Sequence, residues 1–319
     1  MSLPQSHINT SMTNPKNIVI WCPARSGSTS LMRGARLGLK EIHGPSTASL
    51  WEATGRYGIL GPKDAHGTEK NFNFAPWIDT PVSLNYHPWF INKRGSLRRN
   101  RLGKTGNPRT ELPRRARLIR AGNWQNSVIF KNMRWSNDSG RSRLELNELF
   151  DTAVLTSSAE FHHIVLWRKD LFKWISSTFV FSRTQQAHGT VEWDGKLFGD
   201  PAHFTGTKYT SGHYEALEQF IISSSRLPKE KTVMIETNSI NAISELVWPD
   251  STRLALPNNA TLLTGKVNYV DTRTGAAVTP IDLIHPHAIK LFRAFEAKCN
   301  KHLDWQNLDK NLGFTSQSI

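Results

Sequence analysis

Between residues 23 and 31 the chain reads Pro23-Ala24-Arg25-Ser26-Gly27-Ser28-Thr29-Ser30-Leu31, which sets four hydroxyl side chains and one guanidinium around a single glycine. Those residue types suit a phosphate-like anion. Backbone N–H groups at the start of a helix are unsatisfied and attract negative charge, and glycine lets the chain turn and a ligand come close. Ser26, Ser28, Thr29 and Ser30 add donors, and Arg25 adds a permanent charge with two-pronged reach. A helix start needs one capping hydroxyl; four exceed that need.

The common nucleotide loops do not fit. A triphosphatase loop requires G-x-x-x-x-G-K-[ST] after a strand. The chain's one Gly-Lys-Thr, at 103–105, has Arg98 where the first glycine should stand, and it follows no strand pattern. A G-x-G-x-x-G dinucleotide fingerprint is missing as well. ATP-dependent kinases and dehydrogenases both lose ground.

Such a loop has to be held between a strand and a helix. Residues 17–22 form a short apolar run ended by Pro23, the pattern of a buried strand. From 29 to 39 the spacing is helical, with Leu31, Met32, Ala35 and Leu39 on one face. Interior strands are predicted at 127–131, 163–167 and 232–236, and helices at about 141–151, 169–183, 211–226, 238–247 and 285–303. Alternating strands and helices predict a single α/β domain over 17–319. Its central parallel sheet is flanked by helices and opens on a P-loop-like strand, loop and helix. The polar residues 1–16 are expected to be a disordered tail. The stretch 45–126 is rich in Gly, Pro, Trp and Arg with little periodicity. Within it, 93–120 carries eleven lysines and arginines against one acid, Glu111. That part reads as an irregular basic insertion, either an exposed excursion beside a substrate entrance or an insert with no direct role.

A second constellation lies downstream. The predicted strand 163–167 runs into Arg168, and Ser176 stands eight positions later within a helical pattern. Arg168 would leave the carboxyl edge of the sheet, where open α/β folds bind ligands. Ser176 would stand two turns into the next helix.

Together the two constellations resemble the sulfotransferases that use 3′-phosphoadenosine-5′-phosphosulfate (PAPS). The stretch Arg25-Ser26-Gly27-Ser28-Thr29-Ser30-Leu31 is similar throughout to that family's 5′-phosphosulfate loop, [RK]-[ST]-G-[ST]-[ST]-x-L. Arg168 and Ser176 match its arginine and serine for the donor's 3′-phosphate. The resemblance implies a sulfuryl transfer from PAPS to a hydroxyl or amine acceptor, with no metal. It also implies a basic loop near the C-terminus, for which Lys266 in Leu263-Thr-Gly-Lys266 is the candidate. Arg25 would stabilise charge on the departing bridging oxygen. Lys131, read as the end of the strand 127–131, would face the sulfuryl oxygens.

An acceptor hydroxyl also needs a general base. Family members that place a histidine two residues after the strand lysine are not matched, since that position is Met133. His43, in Lys40-Glu41-Ile42-His43-Gly44-Pro45, is the first candidate because an unperturbed imidazole titrates near neutrality. Glu41, Glu52 and His87 compete with it.

Composition sets the remaining bounds. The chain has 319 residues, 38% hydrophobic and 21% charged, ordinary for a globular protein. It has no apolar run long enough for a membrane span, and its start lacks the apolar core of a signal peptide. The two cysteines, Cys22 and Cys299, are too few for a disulfide framework or a cysteine zinc site, and Cys22 reads as a small buried residue. A cytoplasmic setting is expected, and no metal-ligand spacing is evident. The net charge of +14 favours an anionic partner without choosing among them. With eleven tryptophans able to stack on sugars, it fits a carbohydrate or other anionic acceptor as well as a small molecule. Two other classes stay open: a nucleic-acid-binding protein on a degenerate sulfotransferase fold, and a nucleotide-dependent kinase. The first predicts steep salt dependence; the second predicts tight binding of ATP with Mg²⁺.

Overall fold

The structure is a computed structural model, and it describes residues 14–44, 48–50, 116–117, 119–122, 127–134, 142–184, 189–257 and 267–317. At its centre is a parallel sheet. Its first strands are β1 (Asn17–Pro23), β2 (Ala48–Leu50), β3 (Val128–Arg134) and β4 (His162–Trp167). Two short strands, β5 (Gly189–Trp193) and β7 (Glu245–Val247), lie outside it, while β6 (Thr232–Glu236) and, far downstream, β11 (Thr315–Gln317) complete it. The order across the sheet is β11-β6-β4-β1-β3-β2, every pair parallel.

The reason for a parallel sheet is in the strands. Every residue of β1, β3 and β4 is buried, so both faces are covered, as parallel sheets require. Alternate residues serve two separate cores. Ile18, Ile20, Ile129, Ile164 and Val233 pack with Leu31, Met32, Ala35 and Leu39 of helix α1 (Ser28–His43). The same layer takes Ile240, Leu246, Trp248 and Leu254 from the chain after β6, including β7 and β8 (Arg253–Ala255). Val19, Trp21, Phe130, Val165 and Met234 point to the opposite layer. That layer is built by helices α2 (Ser142–Leu155), α3 (Leu171–Thr184), α4 (Thr207–Ser225) and α5 (Pro286–Leu303), with the short α6 (Leu308–Leu312) beside them. α1 approaches β8 so closely that a Cβ on Gly38 would lie 2.2 Å from the carbonyl oxygen of Ala255. A small separate sheet, β10-β9-β5, uses β9 (Val267–Asp271) and β10 (Ala277–Val278).

The α/β architecture with a central parallel sheet flanked by helices is therefore as the sequence predicts. Three details differ. The helix expected at 238–247 is instead a 3₁₀ turn, Thr237–Ala242, followed by β7. Its cause is local: the Glu236 carboxylate accepts from the Asn238 backbone N–H, and Thr237 commits its hydroxyl to more distant carbonyls, both of which compete with an α-helix. Lys131 does not end its strand; β3 continues to Arg134. The polar residues past it can stay in a buried strand because Asn132 and Arg134 are paired with Asp151 of α2.

The third difference is in the basic stretch. Most of 93–120 lies outside the described residues, but its end does not. Ala116 and Ile119 are buried in helical conformation against the core, and Ser157 donates to the carbonyl of Ile119 at 2.5 Å. Ala116 and Ile119 tie this end to the folded layer, while Arg117 and Arg120 beside them are exposed. Residues 1–13 of the expected tail also lie outside the described set.

Candidate functional site

Residues 24–27 join β1 to α1 at the carboxyl edge of the sheet. From β1 the chain crosses to β2 on one side, and β4 lies on the other, so this edge is a point where connections diverge, the position open α/β sheets use for ligands. The loop has an unusual backbone: Arg25 has φ 61° and Gly27 has φ 72°, both left-handed. Gly27 is also confined. A Cβ there would stand 3.2 Å from Ile240 Cδ1 and 3.3 Å from Thr237 Cγ2. Because Gly27 occupies the N-cap of α1, no side chain at that position caps the helix.

Four anchors hold this conformation. The Ala24 N–H donates to the Arg134 carbonyl at 2.9 Å, and the Ala24 carbonyl accepts from the Trp174 indole at 2.6 Å. The Thr237 hydroxyl lies 3.0 Å from the Ser26 carbonyl and 2.7 Å from the Trp167 carbonyl, tying the loop to the end of β4. The Ser30 N–H closes back onto the Gly27 carbonyl at 3.1 Å.

Arg25 and Arg168 leave the ends of adjacent paired strands. Burial holds the Arg25 guanidinium below the usual arginine range; Tyr269 of β9 opposes the shift and Arg168 adds to it. Burial likewise lowers Arg168, against Asp170 and Glu236. Two half-buried positive charges thus stand at one sheet edge, within electrostatic reach of one another. Arg25 rests on the ring of Phe181 of α3, 4.8 Å from its centre. Arginine stays charged throughout any ordinary pH range.

The same edge holds buried polar atoms without partners. Among the described residues, Ser26 Oγ, Ser176 Oγ and Arg168 Nε are buried and make no hydrogen bond. Buried polar groups are paired in the great majority of cases, so each exception calls for an explanation. Ser26 is completely enclosed under the loop, so its contribution as it stands is through its carbonyl anchor. Ser176 sits on α3 and is 1% exposed. Ser28 is buried and Ser30 half-buried; Thr29 belongs to the first turn of α1 between them.

Other predicted residues fall elsewhere. Lys131 is 1% exposed, opposite Ile20 in the register and on the α1 side of the sheet, three residues short of the edge. His43 is not brought to the loop. α1 runs away from it for 16 residues, about 24 Å, and His43 Nε2 lies 2.8 Å from the Pro15 carbonyl, beside the opposite edge where β1 begins. Glu41 is at that same far end. This removes His43 and Glu41 as bases for chemistry at the loop. Glu52, His87 and Lys266 lie outside the described residues.

No protein-family model, no curated protein and no solved structure matches the chain. The functional reading therefore rests on the residues themselves. Sequence reasoning missed Trp174, Thr237 and Tyr269, which anchor the loop or face Arg25. It also missed His213 of α4, buried with its ring 5.4 Å from Trp174. Helical spacing around 169–183 was the one available signal, and it makes Trp174 a core residue without saying what its N–H meets.

Proposed function

We propose that this chain is a sulfotransferase that takes its sulfuryl group from PAPS, with 24–27 and the start of α1 acting as a P-loop-like cradle. The observation that carries the proposal is the pairing of Arg25 with Arg168 at the carboxyl edge, beside buried hydroxyl and guanidinium atoms that lack partners. Two like charges held together favour an anion between them. A donor with separate 5′ and 3′ anionic groups gives each arginine its own ligand. Arg25 and the α1 N-terminus would hold the phosphosulfate end; Arg168, with a turned Ser176 hydroxyl, would hold the 3′-phosphate.

In the proposed reaction the acceptor oxygen or nitrogen attacks sulfur, and the bond from sulfur to the bridging phosphate oxygen breaks. The electron pair leaves with the adenosine bisphosphate. The acceptor's proton passes to a base that the described residues do not identify. Arg25 serves the oxygen on which charge builds, and the fixed loop serves alignment, the two contributions such transfers ask of a protein. Lys131 enters as a buried charge beneath α1, behind these groups. The acceptor is a hydroxyl or amine compound, and the excess of basic residues fits an anionic one, a carbohydrate included.

Calorimetric titration with 3′-phosphoadenosine-5′-phosphate tests the donor half. Wild type should bind one equivalent at micromolar concentration and bind ATP far more weakly, and Arg168→Ala should lose the binding. A wild type that ignores the bisphosphate while binding duplex DNA with steep salt dependence would sink the proposal in favour of a nucleic-acid partner.

A further inference from the structure

At the opposite edge of the sheet, where β4 begins, three side chains of metal-ligating type converge from two parts of the chain. One donor atom each from Glu160, His162 and Asp250 lies within 4.8 Å of the others. His162 Nε2 and Asp250 Oδ2 are 3.0 Å apart, close to the spacing of about 3.0–3.4 Å between neighbouring ligands on an ion bound at about 2.1 Å. From the geometry we infer that Glu160, His162 and Asp250 form a divalent transition-metal site of the zinc type. It is independent of the donor loop.

His162 is 5% exposed, and Trp248 meets its ring edge-on at 5.1 Å. Its hydrogen-bond partner among the described residues is Asp250, within the cluster itself. A polar ring has thus been taken into the core and committed to this one place. Asp250 is preset too. Its N–H donates to the Glu230 carbonyl, its Oδ1 accepts from the Thr252 N–H at 2.9 Å, and Ser251 between them is left-handed at φ 70°. That turn leaves Oδ2 to face His162.

Glu160 is the adjustable member. Its side chain is mostly exposed, and its Oε1 is 3.1 Å from Lys231 Nζ. A divalent ion would take the place of that ammonium, and rotation of the exposed glutamate supplies the remaining movement. One imidazole with two carboxylates suits zinc, cobalt or nickel over magnesium, which demands oxygen ligands and keeps its water. The second ring nitrogen of His162 has no partner among the described residues. Since a partner there raises ligand basicity, and since Lys231 competes, micromolar affinity is expected. The site was not visible in the sequence because Asp250 is 88 positions from His162.

The test is calorimetric titration of the full chain, stripped with a chelator, with zinc chloride and separately with magnesium chloride. One zinc per chain should bind at micromolar concentration and raise the melting temperature, while magnesium should not. His162→Gln and Asp250→Asn should each weaken zinc binding at least tenfold, with unchanged far-ultraviolet circular dichroism, and the surface variant His203→Gln should keep it. Asp250→Asn, at a partly exposed turn, decides the matter if His162→Gln does not fold. The inference is overturned if zinc does not bind, or if Asp250→Asn binds it as tightly as wild type. Binding of the adenosine bisphosphate is measured in the same samples and should not change, which separates this site from the proposed activity.

Discussion

Trp174 donates its indole N–H to the carbonyl oxygen of Ala24, 2.6 Å away and 150 positions earlier in the chain. The bond joins the first turn of α3 to the loop after β1, and it is buried. Trp174→Phe keeps an aromatic ring against Phe295 but leaves the Ala24 carbonyl without its donor. An unsatisfied buried acceptor costs about 1–3 kcal/mol. Urea unfolding should show a loss of that size, and binding of the adenosine bisphosphate should weaken more than tenfold as the loop loses its anchor. Full binding with reduced stability would show that Trp174 supports the fold and not the loop.

Arg25 is conformationally strained in its position. At φ 61° a side chain is disfavoured, and glycine is not. Arg25→Gly should therefore leave the melting temperature equal to or above that of wild type, while the proposed sulfuryl transfer falls by at least a hundredfold. Arg25→Ala removes the same charge but keeps the Cβ, so it should be equally inactive without the gain in stability. If Arg25→Gly lowered the melting temperature, the contact with Phe181 would outweigh the backbone strain.

His163 makes the fold sensitive to acid. It is buried in the middle of the molecule, its Nδ1 accepts from the Trp21 indole at 3.1 Å, and burial, aided by His162 and Lys231, pushes its pKa from 6.5 down to about 3. Between those two values the unfolded chain holds one more proton than the folded one. Stability is therefore full above pH 6.5 and declines as the pH falls toward 3, by up to about 1.4 kcal/mol per pH unit from this residue. His163→Asn retains an acceptor for Trp21 without the titration. Its urea midpoint should decline more gently than that of wild type between pH 6.5 and 4.5. Parallel curves for the two proteins would assign the acid sensitivity to other groups.

The parts of this arrangement that the sequence made legible are those decided by local pattern. Within 17–22 and 163–167 every residue but the first is apolar, so their burial on both faces of a parallel sheet could be read directly. Because the two strands are paired, Arg25 and Arg168 come out at the same edge of the sheet. His43 shows where such reasoning ends: it stands only a few turns past the loop, yet those turns carry it to the other edge of the sheet. Lys131 shows another limit. A polar residue after an apolar run suggests a strand end, but here Asp151 of α2 neutralises Arg134 and binds Asn132, and the strand continues. Tyr269 and Thr237 reach the loop through tertiary packing of short, weakly patterned segments, for which no periodicity exists to read.

Arg134 and Asp151 form the buried ion pair that lets β3 run on, at 2.5 Å from Arg134 to Oδ1 of Asp151, and both side chains are almost fully enclosed. Ser223 of α4 adds a hydroxyl to the same carboxylate, and Asn132 donates to it at 2.9 Å. Breaking such a pair from one side strands a charge in the core and costs about 3–5 kcal/mol, whereas replacing both partners by apolar residues of similar size is often neutral. Asp151→Ala should therefore lower the urea midpoint severely, and the double variant Arg134→Met with Asp151→Leu should recover part of the loss, short of the share that the buried Asn132 amide and Ser223 hydroxyl forfeit with their partner. The carbonyl of Arg134 holds the Ala24 N–H through the backbone alone, so the double variant should also bind the adenosine bisphosphate within a few-fold of wild type. Recovery of stability without recovery of binding would mean that the guanidinium of Arg134, and not only its main chain, positions the loop.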